Sequence, residues 1–362
     1  MMPASSGSAL SIDSGGLSDR EISQSVYIIR FIAILSVIAA HVNIVDNSNC
    51  LSNLITRIWG ILSCFGVPAF LITGGYYYHR EKNDSKIFWQ KKLHSVIIPW
   101  VIASLVTYAV AAFLRHSLSV VDYFKWFIGS GTFHYYMTIY VVMLVIFKFI
   151  RKTPYLVALI IIMFGSLFLE QSQIYGNYGG FGMTKYLNPL NWIGYFAFGI
   201  LIKKYSLEKK VNNWTIGVSF VALLFLSLIE CRLNELSYFS LFNPLTQMFL
   251  LIFVFGFIKY LFEMKFIRNE EEGGGIMLFV AQNSLVIYLY HMQIVQPILN
   301  RLPRIWLTQF IRPVLGLVIM TLLVYVACFI LKRFFYGSNI MKCVGLKYSV
   351  PGKNYEHKDR LL

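Results

Sequence analysis

Arg30 and His41 stand eleven positions apart in the first apolar stretch of the chain, between Ser25 and His41, where a cation and an imidazole are rare. On an α-helix eleven steps of about 100° come to roughly 1100°, within about 20° of three full turns, and the rise is about 16 Å. The two side chains therefore share one face, stacked along the helix axis. A guanidinium suits a phosphate-bearing ligand near one membrane surface, and an imidazole deeper in takes up a proton during chemistry. The bland reading makes Arg30 a snorkelling side chain and His41 an interfacial residue at the far end of its span.

The elements that must position this pair follow from composition. The chain has 362 residues, 57% hydrophobic and 17% aromatic, with only 14% charged, well below the roughly 25% of soluble domains. Apolar runs near 20 residues recur from Ile22 to Tyr336, which predicts an all-α, polytopic membrane protein. Ten spans are expected, at 22–43, 54–78, 94–114, 133–150, 154–170, 188–204, 213–230, 243–262, 277–299 and 311–336. The expected organisation is a flexible N-terminal tail over 1–21, a membrane domain over 22–336 and a basic C-terminal tail over 337–362 that lies on anionic lipid. No internal repeat is evident.

A net charge of +15 raises the question of nucleic acid, and the placement of the 32 Lys and Arg residues answers it. With ten spans, 23 of them fall on the side of the N-terminus, eight on the other, and Arg30 stays in the membrane. The positive-inside rule then puts both termini in the cytoplasm. The basic charge is topology, and no nucleic-acid partner is implied. The five cysteines show no CxxC or metal-ligand spacing, and no His-x-x-x-His pattern occurs, so no metal site is expected.

The remaining polar residues within spans each carry two readings. Thr73 and Gly74, in Gly66-Val-Pro-Ala-Phe-Leu-Ile-Thr-Gly-Gly, belong either to small-residue helix packing or to a cavity lining. Lys91 and Lys92 precede the third span, as a topology signal or as a phosphate clamp on the leaflet of Arg30. His134 and Tyr136, in Thr132-Phe-His-Tyr-Tyr, suit an aromatic belt at the outer start of span four. His291, in Ile287-Tyr-Leu-Tyr-His, sits mid-span and needs a partner or a wet cavity. His79, His94, His116 and His357 read as surface residues. Acidic residues fall at span ends or in loops (Asp46, Glu170, Glu230, Glu235), which speaks against a carboxylate-relay pump.

Arg30-x10-His41 resembles the signature of the acyltransferase-3 family of integral membrane acyltransferases. The Gly66 to Gly75 segment is similar to that family's Val-Pro-x-Phe-Phe-x-x-Ser-Gly-Phe, with Thr73 in the serine place and Gly74 retained. Lys91-Lys92-x-x-Ser95-Val-Ile-Ile-Pro99 resembles a basic stretch that normally carries Arg where Ser95 stands. Thr132 to Tyr136 resembles the His-Trp-Tyr of span four, and Ile287 to His291 the late Ile-Tyr-x-x-His motif. The resemblance covers about residues 22 to 336.

It implies transfer of an acyl group, usually acetyl, from cytoplasmic acyl-CoA to a hydroxyl of a surface carbohydrate or its lipid-linked precursor, at the inner or plasma membrane. Acetyl-CoA would be a donor substrate, and no tightly bound cofactor is expected. Arg30 with Lys91 and Lys92 would hold the donor phosphates, and His41 would act as base or as a transient acyl carrier. Thr73, Gly74, His134, Tyr136 and His291 would line the cavity. A transporter or flippase of lipid-linked sugars is the competing class. Outer aromatics such as Tyr175, Tyr178 and Phe181 would suit it, but it would need no acyl-CoA.

Overall fold

The computed structural model describes residues 18–42, 50–78, 86–130, 132–150, 152–172, 184–233, 237–264, 275–303, 306–334 and 343–347. Asp46, His79, Tyr175, Tyr178, Phe181, Glu235 and His357 lie outside the described residues, as do most of the two expected tails. Among the described residues every regular element is helical, and the chain is an all-α polytopic membrane protein. The first helix, α1, spans Asp19–Val42. It opens on a reciprocal cap in which Glu21 N–H donates to Ser18 Oγ (3.3 Å) while Ser18 N–H and Oγ–H both donate to Glu21 Oε2 (2.8 Å each).

The second expected span is two helices, α2 (Cys50–Ser63) and α3 (Gly66–Tyr76). The third runs through α4 (Lys86–Lys92), a π turn at Leu93–Ile97 and α5 (Ile98–Arg115). Pro99 explains the π turn, because it has no N–H to offer the Ser95 carbonyl one turn back. A short helix, α6 (Val120–Ile128), precedes α7 (Tyr135–Phe149) and α8 (Thr153–Gln171). Then come α9 (Ile193–Lys204), the four-residue α10 (Leu207–Lys210), α11 (Asn213–Leu233) and α12 (Asn243–Glu263). The last three are α13 (Ile276–Gln282), α14 (Ser284–Leu299) and α15 (Trp306–Phe334).

Among the described residues, seven helical stretches are long and apolar enough to cross a membrane, or eight with the bent pair α13–α14. Each of the ten expected spans contains helix among the described residues, and three of them are not among the seven. At 15 residues, α7 covers only about 22 Å of the roughly 30 Å hydrocarbon. Expected span 188–204 is a 3-10 turn at Pro189–Asn191 followed by α9. Expected span 277–299 bends by 83° at Asn283. Hydropathy registers apolar composition and is blind to such breaks.

Helix α1 is the centre of the packing and touches α2, α3, α12, α13, α14 and α15. The apolar faces of α8 and α11 are mostly left uncovered, as lipid-facing helices require. Helices α3 and α9 approach through a glycine pair. A Cβ on Gly75 would strike the Phe196 carbonyl, and one on Gly199 the Ile72 carbonyl. Gly199→Ala must therefore push two backbones apart. We expect it to cost on the order of 1–3 kcal/mol, seen as a lower thermal midpoint in detergent; an unchanged midpoint would contradict this packing.

Two basic or acidic side chains behave differently from what span-end placement suggests. Arg312, counted among the eight topology residues of the far side, is fully buried and donates from Nη2 to the carbonyls of Leu302 (2.6 Å) and Pro303 (3.1 Å). It closes the turn after α14. Glu208 on α10 is also buried, accepting from the Tyr76 hydroxyl at 3.1 Å, which Lys203 Nζ reaches at 3.3 Å.

Candidate active site

Arg30 and His41 both project from α1 toward α14. The half-buried Arg30 donates from Nη2 to Ser284 Oγ at 3.0 Å, at the first residue of α14. His41, also half-buried, lies with its ring centroid 5.1 Å from that of His291, two turns further along α14. The two helices therefore run in the same direction, carrying a cation pole at one end and an imidazole pair at the other. Neither group is turned to lipid.

The tautomer of His291 follows from its hydrogen bond. Nδ1 lies 2.7 Å from the Tyr288 carbonyl, which only accepts, so Nδ1 carries the hydrogen and Nε2 holds a lone pair. That Nε2 is buried and has no hydrogen-bond partner among the described residues. A buried, unpaired acceptor is costly for stability. Such a cost is commonly met where the group has a chemical role.

His134 belongs to the same region, and the aromatic-belt reading is corrected: the residue is fully buried. Its ring lies 4.3 Å from Phe133, which in turn lies 5.7 Å from His291. The Thr107 hydroxyl donates to the Ala103 carbonyl (2.8 Å) and accepts from Trp126 Nε1 (3.1 Å), so His134 Nε2, at 3.4 Å, donates to it as well. Nδ1 of His134 is then a second buried acceptor without a partner among the described residues. Phe133 thus links His134 to His291, which in turn meets His41.

An aromatic column joins the two poles. Ring centroids step from Tyr140 to Tyr136 (6.0 Å), Tyr136 to Tyr288 (5.2 Å), Tyr288 to His291 (5.8 Å) and His291 to His41. At its cation end Lys92 Nζ donates to the Tyr140 hydroxyl at 3.3 Å and sits over the Phe88 and Tyr140 rings. Gly74 gives Tyr140 its room, since a Cβ there would stand 2.9 Å from the ring. The Tyr288 hydroxyl bonds the Phe133 carbonyl and so ties α14 to the loop that carries His134.

Arg30, Lys92, Gly74, Tyr136, His291, His41 and His134 are thus brought into one connected set of contacts. Thr73 stands apart in chemistry, because its hydroxyl donates to the Ala69 and Phe70 carbonyls of its own helix (2.8 and 3.1 Å). Lys91 is exposed, on the outside of α4. His94 and His116 are exposed, as expected. Tyr140, Tyr288 and Ser284 were not foreseen. Tyr288 lies inside the Ile287 to His291 motif, three residues before the histidine it orients, and that spacing was the available signal.

Among the described residues no group of three His, Cys, Asp or Glu could hold a metal ion. The constellation is instead a cationic end, reinforced by the N-terminus of α14, and a set of imidazoles with buried, unpaired acceptor nitrogens at the other. It has the parts for acyl transfer by general-base catalysis. No curated protein and no solved structure shows a significant match to the chain. A family model described as an acyltransferase domain matches residues 24–333, which includes every residue of this site named above. With Arg30, His41 and the late histidine all inside that match, the chain belongs to the acyltransferase-3 family and is a membrane acyltransferase.

Proposed function

We propose that this protein transfers an acetyl group from cytoplasmic acetyl-CoA to a hydroxyl of a surface carbohydrate or its lipid-linked precursor, in the cell membrane, with both termini in the cytoplasm. The observation that carries the proposal is the parallel pairing on α1 and α14, with Arg30 on Ser284 at one end and His41 against His291 at the other. The donor enters from the basic side with its phosphates at Arg30 and Lys92, where charge-assisted hydrogen bonds hold it. Its acyl arm follows the tyrosine column toward His41.

A sugar hydroxyl does not ionise near neutrality, so attack on the thioester carbonyl needs a positioned base. His41 takes the hydroxyl proton as the new C–O bond forms. Collapse of the tetrahedral adduct breaks the C–S bond, and the CoA thiolate recovers the proton, so His41 ends neutral. The lone pair on His291 Nε2 supports this assignment. It is the acceptor that would hold one ring N–H of His41, leaving the other nitrogen free to act.

Purified protein given radiolabelled acetyl-CoA and a glycan-lipid acceptor is expected to release CoA and move label to the glycan. A transporter would leave the thioester intact under the same conditions. Intact thioester with a competent acceptor present would overturn the proposal.

A further inference from the structure

The family match ends at residue 333, and Cys343–Lys347 lies beyond it. Expected as part of a surface tail, this segment is folded back onto the cation end of the site. Lys347 N–H donates to Asn283 Oδ1 at 2.8 Å, and its carbonyl accepts from Asn283 Nδ2 at 2.9 Å. Asn283 is fully buried and is the residue at which α13 and α14 bend apart. Its amide gives Lys347 both halves of a backbone-like pair.

The residues just before Lys347 make the fold-back fit. Leu346 is buried in the core. Gly345 has φ +77, and a Cβ on it would stand 3.0–3.1 Å from the Pro99 ring and 3.4 Å from Val286. Glycine is thus required twice over, for its left-handed backbone and for its closeness to α5. The segment is seated by three independent contacts, with α5, with α14 and with Asn283.

Asn283 is followed by Ser284, which receives Arg30. Lys347 is therefore brought to the Arg30 end, where Lys92 also reaches in from α4. Burial and the charges of Arg30 and Lys92 together hold the Lys347 ammonium down to about 8, against an ordinary 10.5. Like charges gathered in this way repel one another, and a bound polyanion removes the repulsion. The N-terminus of α14 adds its own positive end at the same place.

We propose that Lys347 is the third cation of a binding site for the clustered phosphates of a nucleotide-bearing donor, and that Cys343–Lys347 is the element that delivers it. The proposal rests on the acetyl-CoA reading above and adds to it a residue outside the acyltransferase domain. Phosphate is also the headgroup chemistry of anionic lipid, so the test separates the two sources.

Full-length protein in phosphatidylcholine nanodiscs, near neutral pH where Lys347 is charged, is titrated with adenosine 3′,5′-bisphosphate, which carries phosphates and base without a thioester. Loss of a charge-assisted contact predicts that Lys347→Gln weakens binding about tenfold or more. Lys347→Arg is expected to restore most of it, and Lys125→Gln, at an exposed residue of α6, to change nothing. Unaltered affinity in Lys347→Gln, or no binding by the wild type, overturns the proposal. So does a finding that Lys347→Gln alters only the phosphatidylglycerol that co-purifies, which would make this a lipid seat.

Acetyl transfer is measured on the same preparations. A wild type that binds the bisphosphate through Lys347 but never consumes acetyl-CoA upholds this site and overturns the proposed function. Acetyl transfer with a donor KM indifferent to Lys347→Gln does the reverse.

Discussion

His41→Ala is expected to lower acetyl transfer by about 10²- to 10⁴-fold, the usual contribution of a positioned general base. Protein level in the membrane should stay near that of the wild type. His41 is only half-buried, and the fully covered neighbours Ile38, Ala39 and Val42 carry the packing of that turn of α1. The loss should fall on kcat, with the donor KM little changed, because the proposed phosphate site lies at the far end of the helix. His291→Gln is a companion test. It removes the ring that Tyr288 holds in one tautomer, and the loss of the hydrogen bond proposed from His41 to its Nε2 predicts a fall of about tenfold in kcat. Full activity in His41→Ala would remove the residue from the chemistry, and full activity in His291→Gln would remove the orienting role.

Arg30→Ala is expected to act on the donor instead. A guanidinium offers a planar fork to phosphate, and such charge-assisted bonds are worth about 1.5–3 kcal/mol, so the KM for acetyl-CoA should rise roughly 10- to 150-fold. Ser284 is buried and loses its partner, a cost of about 1–3 kcal/mol that falls on stability and leaves the KM reading separate. Arg30→Lys should recover only part of the loss, since it keeps the charge but not the fork. The check is a split of KM from kcat across the three proteins. A KM that does not move in Arg30→Ala would take the guanidinium out of the donor site.

Much of the site was legible because helical periodicity is a local property. The eleven-residue spacing of Arg30 and His41 puts both on one face whatever surrounds them, and α14 does receive both. Mid-span placement likewise flagged His291 as needing a partner, and it has the Tyr288 carbonyl on Nδ1 with the His41 ring alongside. His134 was less legible. Its motif, beside two tyrosines at a span end, fits a membrane interface as well as a core, and only the packing of Trp126, Thr107 and Phe133 decides for the core. Lys91 and Lys92 are neighbours in sequence and differ by about 100° on a helix, so one is exposed while the other meets Tyr140. Nothing local distinguishes them.

Composition and the spacing of apolar runs by themselves determined that the chain is a bundle of membrane helices, because a backbone in hydrocarbon must satisfy its own hydrogen bonds. They also determined the pairing of one cation with one imidazole, since both sit on a single helix. Tertiary structure alone decided the bend at Asn283, the tautomer of His291, the tyrosine column and the return of Lys347 to the Arg30 end. Each of these depends on contacts between residues far apart in the chain, and a periodicity carried along one helix holds no information about which other helix it will meet.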